Sequence, residues 1–114
     1  MVIRRGDVWW ASLPEPVGSE PGYRRPLVVV QADSFNQSRI QTILGVALTT
    51  NLRLADAPGN LLLTSRETGL PRDCVANISQ IIAADRRTLT ERVSVLPPIL
   101  MEKIEAGLRL VLNL

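Results

Sequence analysis

A chain of 114 residues, 46% apolar and 21% charged, can build one core but not two ordinary ones, so residues 1–114 read as a single domain. No apolar run nears the roughly 18 residues that cross a bilayer, and the segment from Met1 to Asp7 lacks a secretory signal's apolar stretch; the expectation is a cytoplasmic protein with no membrane partner. The net charge of +2 excludes a polybasic tail, the lack of histidine excludes imidazole acid–base chemistry and most zinc sites, and a lone cysteine excludes an internal disulfide.

That cysteine, Cys74, has no histidine to activate it and sits in a strand-like run, so it is a poor nucleophile. Any catalysis must then use carboxylate, arginine, hydroxyl or backbone groups. The charge is unevenly spread: residues 1–53 carry six arginines against four acids, and residues 54–114 carry seven of each sign. Twelve of the thirteen basic residues are arginine, with Lys103 the exception. Arginine matches phosphate bidentately, which suits an RNA partner, and a GC-rich genome would give the same bias.

In chain order, Gly6 to Leu13 reads as a strand stopped by Pro14, with Trp9 and Trp10 on opposite faces. For the outer ring, a core or subunit-interface role and base stacking are both open. Residues 14–26 hold four prolines and two glycines and form a loop too long for a tight hairpin. Leu27 to Gln31 is the apolar run of a central strand buried on both faces. A polar turn at Asp33 to Ser38 leads to a third strand, Thr42 to Thr49, where Gly45 marks a bulge or a close backbone approach.

A second long loop covers residues 50–59, followed by a short strand at 60–64 and a helical turn closed by Gly69. Residues 73–83 form a longer strand or a bent pair, in which the polar Asn77, Ser79 and Gln80 need partners at an edge or beside a ligand. Residues 91–96 are the last strand. Pro97-Pro98 starts a helix whose Leu100, Ile104, Leu108, Val111 and Leu112 share one face. The fold class is mainly β with α: a strongly bent antiparallel sheet or partial barrel with a C-terminal helix.

The Walker and dinucleotide patterns, paired carboxylates and metal-ligand spacings are all missing. What remains is Arg25 before one buried strand and Thr49 closing the next. If those strands are antiparallel neighbours, an arginine and a hydroxyl converge at one sheet end, though Thr49 also fits as a plain β-branched strand residue. Arg24, one position away, projects differently.

The run Arg-Gly-Asp-Val-Trp-Trp-Ala-Ser-Leu (5–13), followed by Gly-Ser-Glu-Pro-Gly-Tyr-Arg-Arg-Pro-Leu-Val-Val-Val-Gln (18–31), resembles the N-terminal signature of the MazF/PemK family of toxin endoribonucleases. The likeness continues through Val46 to Thr50, Gly69 to Val75 and Ser79 to Ile81. It implies an SH3-like barrel that forms a homodimer and cuts single-stranded RNA with no metal and no cofactor. A cognate antitoxin would wrap the dimer and block the RNA groove. By position, the resemblance makes Arg25 and Thr49 catalytic, with Glu20 acting as base or orienting Arg25. It makes Ser19 and Gln80 RNA contacts, and leaves Arg24 as a further phosphate contact or a bystander.

Pro21 stands where the family pattern has glutamine and would stiffen the loop. The implied chemistry is attack by an RNA 2′-hydroxyl on the adjacent phosphorus, on messenger, transfer or ribosomal RNA. The alternative is a DNA gyrase-poisoning toxin on a similar barrel. Those act through a C-terminal aromatic tail, whereas this chain has no aromatic residue after Phe35.

Overall fold

The computed structural model describes residues 2–19 and 22–114. Six strands form one antiparallel sheet: β1 (Asp7–Leu13), β2 (Tyr23–Val29), β3 (Thr42–Thr49), β4 (Leu61–Leu63), β5 (Cys74–Asp85) and β6 (Leu89–Val95), in the order β4-β5-β3-β2-β1-β6. Short helices α1 (Asp33–Asn36) and α2 (Ser65–Thr68) occupy connections, and α3 (Pro98–Leu112) ends the chain. At α2 the expected Gly69 closes the turn in the left-handed region at φ 79°, and the structure adds a Thr64–Glu67 capping box that opens it.

The sheet has a core on each face. On one, Val8, Val28, Val46 and Ile78 meet Leu100, Met101 and Ile104 of α3. On the other, Trp9, Ala11, Leu27, Ile43, Ala84 and Leu89 pack together without a covering helix. Five strands contribute to that second cluster, so the sheet itself must curl around it, giving a half-barrel. Leu27, Val28 and Val29 are all fully buried, as a central strand covered on both faces requires.

Gly45 proves to be a close approach, because a Cβ there would stand 2.9 Å from Leu27 Cδ1 and 3.3 Å from the Val28 carbonyl oxygen. Segment 73–83 is one strand with a deep bulge. Val46 pairs with Ile81 and Leu48 with Ala76, so two residues of advance along β3 match five along β5. The bulge explains the amides at 77–80. Asn60 accepts from the freed Ile78 N–H at 2.9 Å and donates to Asn77 Oδ1 at 3.2 Å, so Asn77 is buried and satisfied within the fold rather than by a ligand.

Three boundaries differ from expectation. β2 begins at Tyr23, four residues before the apolar run, because its first residues pair with β1 rather than enter the core. β6 begins at Leu89, which the second core buries. On α3 the buried stripe is Leu100, Met101, Ile104 and Gly107, while Val111 and Leu112 are 44% and 51% exposed. Gly107 sets this stripe: it packs so closely on Gly59 that a Cβ would run into the Gly59 carbonyl oxygen, and the last helical turn passes beyond the packed layer.

Candidate active site

Pro14 ends β1, and the chain returns at Tyr23, whose N–H donates to the Pro14 carbonyl at 3.3 Å. Tyr23 sits in the left-handed region at φ 57°, which costs a non-glycine residue about 1–2 kcal/mol. From there the register with β1 is fixed: Arg24 opposite Ser12, Arg25 opposite Ala11, Pro26 opposite Trp10. Strand alternation separates the two arginines. Arg25 lies on the side of Ala11 and Leu27, toward the second core, while Arg24 lies on the side of Trp10.

The β2–β3 ladder ends at Leu27 opposite Ala47. The next residue on β2, Pro26, has no N–H to give a ladder. Continuing the register two residues sets Arg25 across from Thr49, both on the face of Leu27 and Ala47. The two residues expected to act together therefore share one sheet end and one face. Thr49 Oγ1 accepts from the Asn51 N–H at 3.2 Å, and Asn51 in turn caps the 3-10 turn Leu52–Asp56. A hydroxyl fixed as an acceptor on one side keeps its own hydrogen for another partner.

Gln80, on the β5 bulge, donates through Nε2 to the Ser19 carbonyl oxygen at 2.6 Å. The two residues expected to contact RNA are thus joined across sixty-one positions, and the bulge holds the β1–β2 loop. Glu20, the third residue expected at the site, lies outside the described residues, as does Pro21.

A pocket of about 390 Å³ opens beside this end of the sheet, with Gly22 to Pro26 as one wall. Trp10, Leu48, Leu70 and Pro71 supply apolar surface, and Arg24, Arg25, Thr50 and Arg72 are its polar residues. Arg24 Cζ stands 4.0 Å from the centre of the Trp10 ring, an arrangement contributing about 0.5–1 kcal/mol and holding the guanidinium in place. Among the described residues, Arg24, Arg25 and Arg72 form no ion pair. Asp73, next to Arg72, is committed elsewhere, accepting from the Ser65 N–H at 2.7 Å. Burial, with the Asp73 charge second, pushes the Cys74 thiol upward, so it stays protonated at neutral pH and is no nucleophile.

The half-barrel sheet with its C-terminal helix defines a protein of the small β-barrel class, with arginines and a hydroxyl gathered at one sheet end. The family of PemK-like, MazF-like toxins of type II toxin–antitoxin systems matches residues 4–112, and the chain belongs to it. The chain is 44% identical over 114 residues to endoribonuclease MazF6 of Mycobacterium tuberculosis, covering all of both sequences. In three dimensions it is similar to MazF of Deinococcus radiodurans, with a TM-score of 0.83 at 18% identity over 100% of this chain and 99% of that one. It is also similar to an endoribonuclease from a mycobacterial species solved in complex with its cognate antitoxin, with a TM-score of 0.73 at 21% identity over 99% and 95%.

Arg72 and Thr50 went unassigned from the sequence. Arg72 lies in the Gly69 to Val75 segment, but no local pattern shows that this loop turns back toward Trp10. A strand residue stacked under an arginine is likewise invisible until the register of β1 and β2 is known.

Proposed function

We propose that the protein is the toxin of its toxin–antitoxin system and a metal-independent endoribonuclease. It acts in the cytoplasm as a homodimer of single-domain chains and is blocked by a cognate antitoxin. It cuts single-stranded RNA, whose splayed bases can be read where duplex grooves hide them. The 2′-oxygen attacks the adjacent phosphorus, the bond from phosphorus to the 5′-oxygen breaks, and the products carry a 2′,3′-cyclic phosphate and a 5′-hydroxyl.

One arrangement carries this reading: Arg25 and Thr49 on the same face and the same sheet end, where the β2–β3 ladder stops. Arg25 holds the scissile phosphate and stabilises charge developing on its oxygens, a role worth about 3–4 kcal/mol for one preorganised donor. It acts as a hydrogen-bond donor rather than an acid, since a guanidinium is in effect always charged and holds its proton. Thr49 donates its free hydroxyl hydrogen to the same phosphate. Glu20 takes the 2′-hydroxyl proton or orients Arg25. Ser19 and Gln80 line the RNA path. The nucleophile comes from the substrate, so a sequence without histidine suffices.

The test is to incubate the purified protein with a defined single-stranded RNA, with and without EDTA, and sequence the ends. Cyclic-phosphate ends at a fixed short motif, unchanged by EDTA, are expected. Cleavage lost in EDTA and restored by magnesium would overturn the metal-free chemistry. Intact RNA with gyrase trapped on DNA would favour the gyrase-directed alternative.

A further inference from the structure

Thr49 is the last residue of β3, and its partner Val75 stands just before the β5 bulge. Beyond Thr49 no ladder holds the chain. Its hydroxyl accepts from the Asn51 N–H, so the hydroxyl's aim depends on how the 3-10 turn Leu52–Asp56 is seated. Asn60 seats that turn. It donates through Nδ2 to the Leu54 carbonyl at 2.9 Å and to Asn77 Oδ1 at 3.2 Å, and accepts from the Ile78 N–H at 2.9 Å. Among the described residues, no other side chain bonds both that turn and the bulge. One neighbour is a backbone N–H and the other a backbone carbonyl, which fixes the way round the amide lies. Asn60 is itself firmly placed: its N–H donates to the Ala57 carbonyl at 3.1 Å, Gly59 before it packs on Gly107 of α3, and β4, paired to β5, follows it. The Leu54 carbonyl already accepts from the Ala57 N–H at 3.1 Å, so it does not need Asn60 to be satisfied. What the extra bond adds is a fixed distance between the turn and the bulge.

We propose that Asn60 is a positioning residue for cleavage, setting the Thr49 hydroxyl by holding the 3-10 turn against the β5 bulge. The inference rests on the endoribonuclease reading above, in which Thr49 acts on the scissile phosphate. Asn60 touches no reacting atom; it acts through Leu54, the turn and the Asn51 N–H. The same bulge carries Gln80, which holds the Ser19 carbonyl, so one amide ties the loop behind Thr49 to the strand that holds the β1–β2 loop.

The test measures kcat and KM on a mapped single-stranded RNA for wild type, Asn60→Asp and Asn60→Ala, and repeats both changes in a Thr49→Ala background. Aspartate keeps an acceptor for the Ile78 N–H but sets its second oxygen against the Leu54 carbonyl, so it frees the turn while the bulge stays bonded. Each variant should lower kcat about tenfold with KM within about twofold, since a misplacement of about 1 Å can cost up to about 10²-fold. In the Thr49→Ala background neither should change kcat by more than about twofold, because the group they position is gone. Equal losses in both backgrounds would show a merely structural role and overturn the proposal. So would loss of the fold in both variants, or a salt-dependent rise in KM alone, which the new aspartate charge would cause by repelling RNA. If wild type leaves all RNA intact, the nuclease reading fails and takes this inference with it; cleavage at the wild-type kcat by both variants overturns the inference alone.

Discussion

Asp7 has no exposed surface, yet nothing about it belongs to the site. Its carboxylate accepts from the Trp9 indole N–H at 3.1 Å and the Arg4 N–H at 2.9 Å, and it faces Arg92 Nε at 3.4 Å. The Gly-Asp-aromatic signature is therefore structural: the aspartate ties the N-terminal segment, β1 and β6 together around the tryptophan. Removing it would orphan an indole donor and leave an arginine without its charge partner. Asp7→Ala should cost about 1–3 kcal/mol, the range for leaving a buried donor unsatisfied, since Arg92 is half exposed and can turn to water. Urea unfolding checks this, and a loss below 1 kcal/mol would show that the network is slack. The site arginines behave differently. They spend little of their charge inside the fold, so changing them should alter function far more than stability.

At the scale of elements, the strands of the first half were legible because continuous apolar runs and terminating prolines declare themselves. Thr42 to Thr49 was bounded as the structure bounds it. The start of β2 was not, since Tyr23, Arg24 and Arg25 carry no strand signal and are held by their pairing with β1. The β5 bulge announced itself only as a polar interruption; its cause, Asn60 satisfying the freed backbone, sits seventeen or eighteen positions away. Helix α3 was found from its spacing, but the stripe it buries is set by Gly107 against Gly59. Gly107→Ala should push the helix off the loop that carries Asn51 and Asn60, costing about 1–3 kcal/mol as other overpacked contacts do. Thermal unfolding reads the loss, and an unchanged Tm would mean that the loop yields freely.

Over the whole molecule, curling brings together pieces that the sequence keeps apart: the loop before β2, the end of β3, the turn before β5 and the β5 bulge. Residue pattern alone suggested Arg25 and Thr49 only as a possibility conditional on β2 and β3 being antiparallel neighbours, which they are. Resemblance to a family added Ser19 and Gln80, now seen in contact. Arg72 came from neither source, because pocket membership depends on tertiary structure. The central claim is that Arg25 and Thr49 work as one unit on a single phosphate. The most direct measurement is the cleavage rate of a mapped RNA by wild type, Arg25→Ala, Thr49→Ala and the double variant, each first shown to unfold at the wild-type temperature. Each single change should slow cleavage by about 10²-fold or more, and the double variant should be scarcely slower than the worse single one, as for groups that act together. Wild-type rates in either single variant, or full multiplication of the two losses in the double, would contradict it.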